Sequence, residues 1–194
     1  PAVVTVIDPP PDALPRTGVS AGVTQLAVAG DTLYANTGAA VVIVDIHDPT
    51  APMVLSTFQP DNWGYHAIAA DSTRLYVAGW WYTLGGRTPT VAVVDVRDRH
   101  RPTFLGHRDV SFDWRADAVT PFVVQNRTLY LCLPDGIRVF EAADPARIRL
   151  AGSVDFDADA IVPAAMIPLT FYVSHTFPGA ALRSEVAMLE LVEP

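Results

Sequence analysis

Hydrophobic and polar positions alternate along this chain in short runs, and the runs come in pairs. TQLAVAGDTLYANTG, HAIAADSTRLYVAGWW, DAVTPFVVQNRTLYLCLPDG and DAIVPAAMIPLTFYVSHT each read as two strands. The second strand of each pair carries an aromatic doublet: Leu33-Tyr34, Leu75-Tyr76, Leu129-Tyr130 and Phe171-Tyr172. Before the first three doublets stand GDT, DST and QNRT, turn residues that suit a tight hairpin. The runs are rich in Val, Leu and Tyr, which fit a pleated, half-buried surface. No window sustains a helical period. A third run of VVIVDI type follows the pairs, and a fourth of VLSTFQ, TFLGHR or IRLAGSV type completes each full unit. Four antiparallel strands in roughly 42–54 residues predict a β-propeller blade.

The third run belongs to a phrase that recurs: VTVIDPPPDALP from Val4, VIVDIHDPTAP from Val42, VVDVRDRHRP from Val93 and RVFEAADPARI from Arg138. In three copies an Asp precedes a Pro by seven residues: Asp8 and Pro15, Asp45 and Pro52, Asp95 and Pro102. The fourth puts Glu141 and Ile148 at those places and keeps Asp144-Pro145. Asp after a strand accepts backbone hydrogen bonds and fixes a turn, and Pro blocks further ladder pairing. The phrase is therefore read as punctuation between strands. No catalytic role is expected for Asp8, Asp45 or Asp95.

With the LYVAG-type strand before it, VVIVDIHDPTAP resembles the LVIVD-repeat family of β-propellers, and the likeness runs through nearly the whole chain. The resemblance implies a propeller fold and an exported protein, extracellular, on the cell surface or periplasmic, as in bacterial and archaeal members. It implies no catalytic residues. The expected organisation is one propeller domain or segment: a partial blade over 1–20, blades over 22–59, 63–110 and 114–155, and a partial blade over 156–194. That makes two, twelve and three strands, 17 in all, where a closed four-bladed ring needs 16. An incomplete ring of about four blades is expected, with the remaining blades on sequence beyond this segment. A closed ring using Val3–Asp8 as an outer strand is the alternative.

Composition sharpens this picture modestly. Half of the 194 residues are hydrophobic, enough for a core, and the formal net charge is -8. That sign disfavours a nucleic-acid partner. Asp outnumbers Glu 17 to 4, as a turn-rich β protein would have it. Arg supplies all 13 basic residues and Lys none, read here as codon bias of a GC-rich, bacterial genome. Cys132 is alone in the apolar run LYLCLP, so a buried inert thiol is expected rather than a disulfide framework. No apolar run approaches the ~18 residues of a membrane-spanning helix. A sequence opening on Pro1 without a signal peptide reads as a processed product or an excised segment.

Candidate chemistry sits where the copies differ. DNWGYHA, FDWRADA and VDFDADA precede successive pairs and define three columns: Asn62, Asp113 and Asp155; Trp63, Trp114 and Phe156; and His66, Asp117 and Asp159, with Thr24 at the corresponding place. In a propeller these lie at the crossings between blades, around the channel. His66, Asp117, Asp159, Trp63 and Trp114 are thus candidates for ligand binding. Asp155, Asp157 and Asp159 alternate along one strand face and are weak candidates for Ca²⁺, without the Gly and distal Glu of an EF-hand. The competing reading makes the polar columns turn caps and the aromatic column wedges between blades.

Trp80-Trp81-Tyr82 with TLGGRTP lengthens one hairpin and is a candidate partner loop for a protein or surface glycan. Alternation would bury one Trp and expose the other. His47, His100, His107 and His175 look incidental, and no HExxH, GxSxG or Gly-rich phosphate loop occurs. The leading expectation is a non-enzymatic, exported binding or scaffolding module. The alternatives are a pore-mouth metal-dependent hydrolase or lyase, and a purely structural repeat of a large surface protein.

Overall fold

A computed structural model describes residues 22–110, 122–133, 136–154, 160–163, 170–177 and 183–190. It is all-β: among these residues the only helical element is a single 3-10 turn, Pro145–Arg147. The first phrase copy, Asp113, Trp114, Asp117, Asp155, Phe156, Asp157 and Asp159 lie outside the described residues.

The chain divides into two compact units, Pro1–Val119 and Thr120–Pro194. In the first, β1 (Gln25–Ala29), β2 (Thr32–Asn36), β3 (Val41–Asp45) and β4 (Met53–Phe58) form one antiparallel sheet in chain order. A second follows the same plan: β5 (Trp63–Ala70), β6 (Arg74–Thr83), β7 (Gly86–Asp95) and β8 (Thr103–Asp109). The second unit holds a third such sheet of β9 (Phe122–Gln125), β10 (Thr128–Leu133), β11 (Gly136–Glu141) and β12 (Arg149–Val154). It also holds a sheet of β13 (Ala160–Pro163), β14 (Thr170–Phe177) and β15 (Arg183–Glu190).

The four sheets repeat down to the residue pair. The Tyr of each doublet sits opposite the residue two before the acid of the third strand: Tyr34 and Ile43, Tyr76 and Val93, Tyr130 and Val139, Tyr172 and Met188. The acids themselves face Thr32, Arg74, Thr128 and Thr170. Register is strongly specified because a slip of one residue would turn every apolar side chain to the wrong face. Tyr34, Tyr76 and Tyr130 are all essentially buried.

The phrase acts as punctuation, as its residues suggest. The Asp45 carboxylate accepts from the His47 N–H at 2.8 Å, and Asp95 does the same for Arg97 at 2.9 Å. Three residues on, Asp48, Asp98 and Asp144 accept from the N–H of Thr50, His100 and Ala146. In each of these turns the Asp carbonyl also accepts a backbone N–H, from Ala51, Arg101 and Arg147. A β-bulge then recurs at one place in the three outer strands, where the ladder skips Leu55, Leu105 and Ala151. Bulges at an outer strand twist the edge away from pairing with another chain.

In the first unit the two sheets pack face to face. Tyr34, Val41, Ile43 and Phe58 from one meet Trp63, Tyr65, Ile68, Leu75, Val77, Ala92 and Val94 from the other. Burying side chains of this size contributes about 1.5–3 kcal/mol each. Polar ties cross the same seam. The Gln25 amide oxygen accepts from the Ile68 N–H at 2.6 Å, the Gly38 carbonyl from the Tyr65 N–H, and the Phe58 carbonyl from the Tyr65 hydroxyl at 3.2 Å. The Ser56 hydroxyl donates to the Arg99 carbonyl at 2.5 Å.

Candidate functional site

The sequence candidates within the described residues are Trp63, His66, Trp80 and Trp81, and all four lie on the inner two strands of the second sheet. Trp63 opens β5 directly opposite Trp81 on β6. It is buried, with its ring 5.5 Å from Trp81, 6.2 Å from Phe104 and 6.3 Å from Tyr65. This is the wedge reading of the aromatic column: Trp63 belongs to the core between two sheets. His66 falls at a bulge in β5, where the ladder passes from Tyr65 to Ala67. A bulge re-aims the side chain that it carries, and His66 is half-buried there.

Members of the polar column can be counted along the sequence from the paired strands. Thr24, His66 and Asp159 each stand three residues before the residue that faces the doublet Tyr, namely Ala27, Ala69 and Val162. Asp117 stands six before Val123. Asp117 and Asp159 themselves lie outside the described residues. Among the described residues no three His, Cys, Asp or Glu side chains gather in a way that could hold a metal ion.

Trp80 and Trp81 lie within β6 rather than in a loop. The insertion lengthens two paired strands to ten residues each, against five in β2 and β3 and six in β10 and β11. The ladder runs out to Thr83 and Gly86, leaving Leu84 and Gly85 as the turn. Neither Trp is exposed, because both faces of the sheet are covered at this point. Trp80 is buried beneath the Arg87 guanidinium, 4.2 Å from the ring centre. Trp81 is half-buried, with the His107 ring stacked on it at 4.7 Å and Phe104 against its edge. Phe104 and His107 share that face only because the β8 bulge skips Leu105; unbroken alternation would turn them to opposite faces. That hidden parity change is why His107 looked incidental in the sequence.

Two glycines make the arrangement possible. A Cβ on Gly79 would overlap the Gly64 carbonyl oxygen outright, so β5 and β6 approach closely only because this residue lacks one. A Cβ on Gly64 would come within 3.0 Å of the Tyr82 ring, which leans over it. Asn62 takes a positive φ of 63° just before β5, a conformation that Asn tolerates, and its carbonyl accepts the Tyr82 N–H at 2.8 Å.

The tip of the hairpin is open to solvent. Tyr82 is 44% exposed and Leu84 fully so. Arg87 lies directly opposite Tyr82. The sequence reading took in Tyr82 and the TLGGRTP stretch but put its weight on the Trp pair, and did not single out Leu84 and Arg87. The signal that could have singled them out is the length of the insertion: four or five extra residue pairs in a hairpin must extend past a sheet of fixed width.

No protein-family model matches the chain, and no curated protein does. Among solved structures it is similar to the N-terminal domain of Nup159, at 10% identity and a TM-score of 0.48, over 88% of this chain and 45% of that one. A chain of the S. cerevisiae structure of Dbp5 bound to Nup159, Gle1, IP6 and ADP gives 11% identity and a TM-score of 0.47, over 88% and 45%. This chain thus spans about half the length of the structures it matches.

Away from the hairpin, the ionisable groups serve the fold. Burial works to raise the Asp71 carboxyl, but hydrogen bonds from Thr73, Tyr76 and Arg74 outweigh it and hold the group below its usual range. The hydrogen bonds from Arg97 pull Asp95 down to about 2. Burial pushes the Cys132 thiol up to about 12, which makes it a poor nucleophile.

Proposed function

We propose that this chain is a segment of a β-propeller of the LVIVD-repeat kind, exported to the periplasm or cell surface, where it acts as a non-enzymatic module that binds a protein. Each four-stranded sheet is then one blade, the repeated turn is the link between strands, and further blades complete the ring. Repeating antiparallel meanders with one register, packed face to face within the first unit, support the propeller reading. The resemblance of VVIVDIHDPTAP supports export.

The observation that carries the binding role is the β6–β7 hairpin. It extends past its sheet and ends in Tyr82 and Leu84, large apolar side chains held in water. Exposed aromatic and aliphatic groups on a rigid two-stranded base are anchors of the kind that dominate protein interfaces. A glycan platform is less well served. Sugar stacking needs a free aromatic face, yet Arg87 covers Trp80, His107 covers Trp81, and Tyr82 leans on Gly64.

The test is site-specific photo-crosslinking in the cells that make the protein. A crosslinking residue at Leu84 is expected to give one discrete protein adduct, weakened by Tyr82→Ala. The same residue at Met53, exposed to 60% on an outer strand, is expected to give none. Equal or absent adducts at the two positions would count against the hairpin.

A further inference from the structure

The hairpin also says what its partner carries, if the preceding reading of it as the binding surface holds. From Ser72 through Val94 the sequence holds no Asp or Glu and two Arg, in a chain with 21 acids and a net charge of -8. The projecting element is thus a local break in an acidic molecule. Arg87 lies at its tip, diagonal to Trp80 and directly opposite Tyr82, so the three side chains share one face. Its guanidinium is laid on the Trp80 ring at 4.2 Å. No acid pairs with it among the described residues, while Arg97 and Arg149 are bound to Asp95 and Glu141.

Stacking fixes the plane of a guanidinium and leaves its N–H edge open. That edge matches a carboxylate in two parallel hydrogen bonds. The rotamer freedom normally lost on pairing an exposed Arg is already reduced here by the stack. Beside it, Tyr82 and Leu84 offer apolar contact. We infer that the β6–β7 hairpin docks a protein segment bearing a carboxylate next to an apolar side chain, the carboxylate taken by Arg87 and the apolar group by Tyr82 and Leu84.

A random-peptide display library selected on the folded protein supplies the probe. Selected peptides are expected to carry Asp, Glu or a free C-terminal carboxylate beside an apolar residue. Their affinity, read by fluorescence anisotropy with synthetic peptide, should fall about tenfold or more with Arg87→Gln, since bonds to charged groups are strong. It should fall equally when the peptide's acid becomes its amide, and the two changes together should cost little more than either alone. Arg87→Lys should recover only part, because an ammonium cannot form the planar fork. Circular dichroism of each variant checks that the fold is retained.

Peptides that lose binding with Leu84→Asp but not with Arg87→Gln would overturn the carboxylate inference and leave the hairpin as a docking site. A selection returning no peptide sensitive to Tyr82→Ala or Leu84→Asp would overturn both.

Discussion

Replacing Gly79 with Ala tests whether the second sheet is built as described. Gly79 pairs with Tyr65 at the point where β5 bulges. The added methyl would overlap the Gly64 carbonyl oxygen and lie 3.1 Å from the carbonyl carbon and 3.3 Å from the His66 nitrogen. All three are backbone atoms of a paired strand, so no side chain can swing aside. Relief requires β5 and β6 to part locally, which strains the ladder on either side and separates the Trp63–Trp81 edge contact. Over-packing that forces backbone movement costs about 1–3 kcal/mol and occasionally more. Losing an aromatic contact adds roughly 0.5–1.5 kcal/mol. We therefore expect Gly79→Ala to destabilise the first unit by about 3 kcal/mol. Urea unfolding followed by Trp fluorescence reads this directly, because all four Trp fall in that unit. Gly85→Ala is the control: its Cβ would meet only the Thr83 hydroxyl, at 3.9 Å, and it should stay within about 0.5 kcal/mol of wild type. A Gly79→Ala protein within about 1 kcal/mol of wild type would refute the close approach of the two strands.

Three further outcomes follow from the same geometry. Asp95 is held at about 2 by Arg97, below the ~3.9 of an unfolded Asp, so its stabilising effect is complete above pH ~4 and lost as pH falls toward 2. Asp95→Asn should flatten the fall in urea midpoint between those pH values, more visibly at low salt since Arg97 is exposed; an unchanged acid limb would discount the pair. Cys132 should resist thiol reagents at pH 8 in the folded protein and react fully in urea, whereas rapid native labelling would contradict its burial. Tyr65→Phe removes the hydroxyl that donates to the Phe58 carbonyl across the sheet seam and should cost about 1 kcal/mol in urea unfolding, with a value near zero arguing against that tie.

Much of the fold was legible because its signals are local and repeat. An apolar doublet after a turn, an Asp after a strand and a Pro beyond it each constrain the few residues around them. Four copies in one register then let each reading check the others. The site was less legible, for reasons that sit in particular residues. Trp80 and Trp81 were read as a loop because the insertion lacks turn residues until Gly85, and nothing local shows whether such a stretch pairs. His107 was discounted because its face depends on a bulge at Leu105, and a bulge has no composition of its own.

Repetition also decides where an activity can be placed. A residue that recurs from copy to copy is held there by the turn or the core of its sheet, as Asp45 and Asp95 are by their N–H donors and Tyr34 and Tyr76 by burial. Changing one of these perturbs a sheet before it perturbs any ligand. A residue that departs from the repeat is released from that duty, yet departure alone is no function: Trp81 belongs to the insertion, and its ring is spent on packing against Trp63, Phe104 and His107. What distinguishes the β6–β7 hairpin is departure combined with exposure and support. Gly79 and Gly64 give up side chains to let the strands and Tyr82 close up, Trp80, buried, and Trp81, half-buried, form its base, and the groups left over at the tip are Tyr82, Leu84 and Arg87. A hairpin that merely filled space would need no such base, since the extra residue pairs, if polar, would be solvated at lower cost.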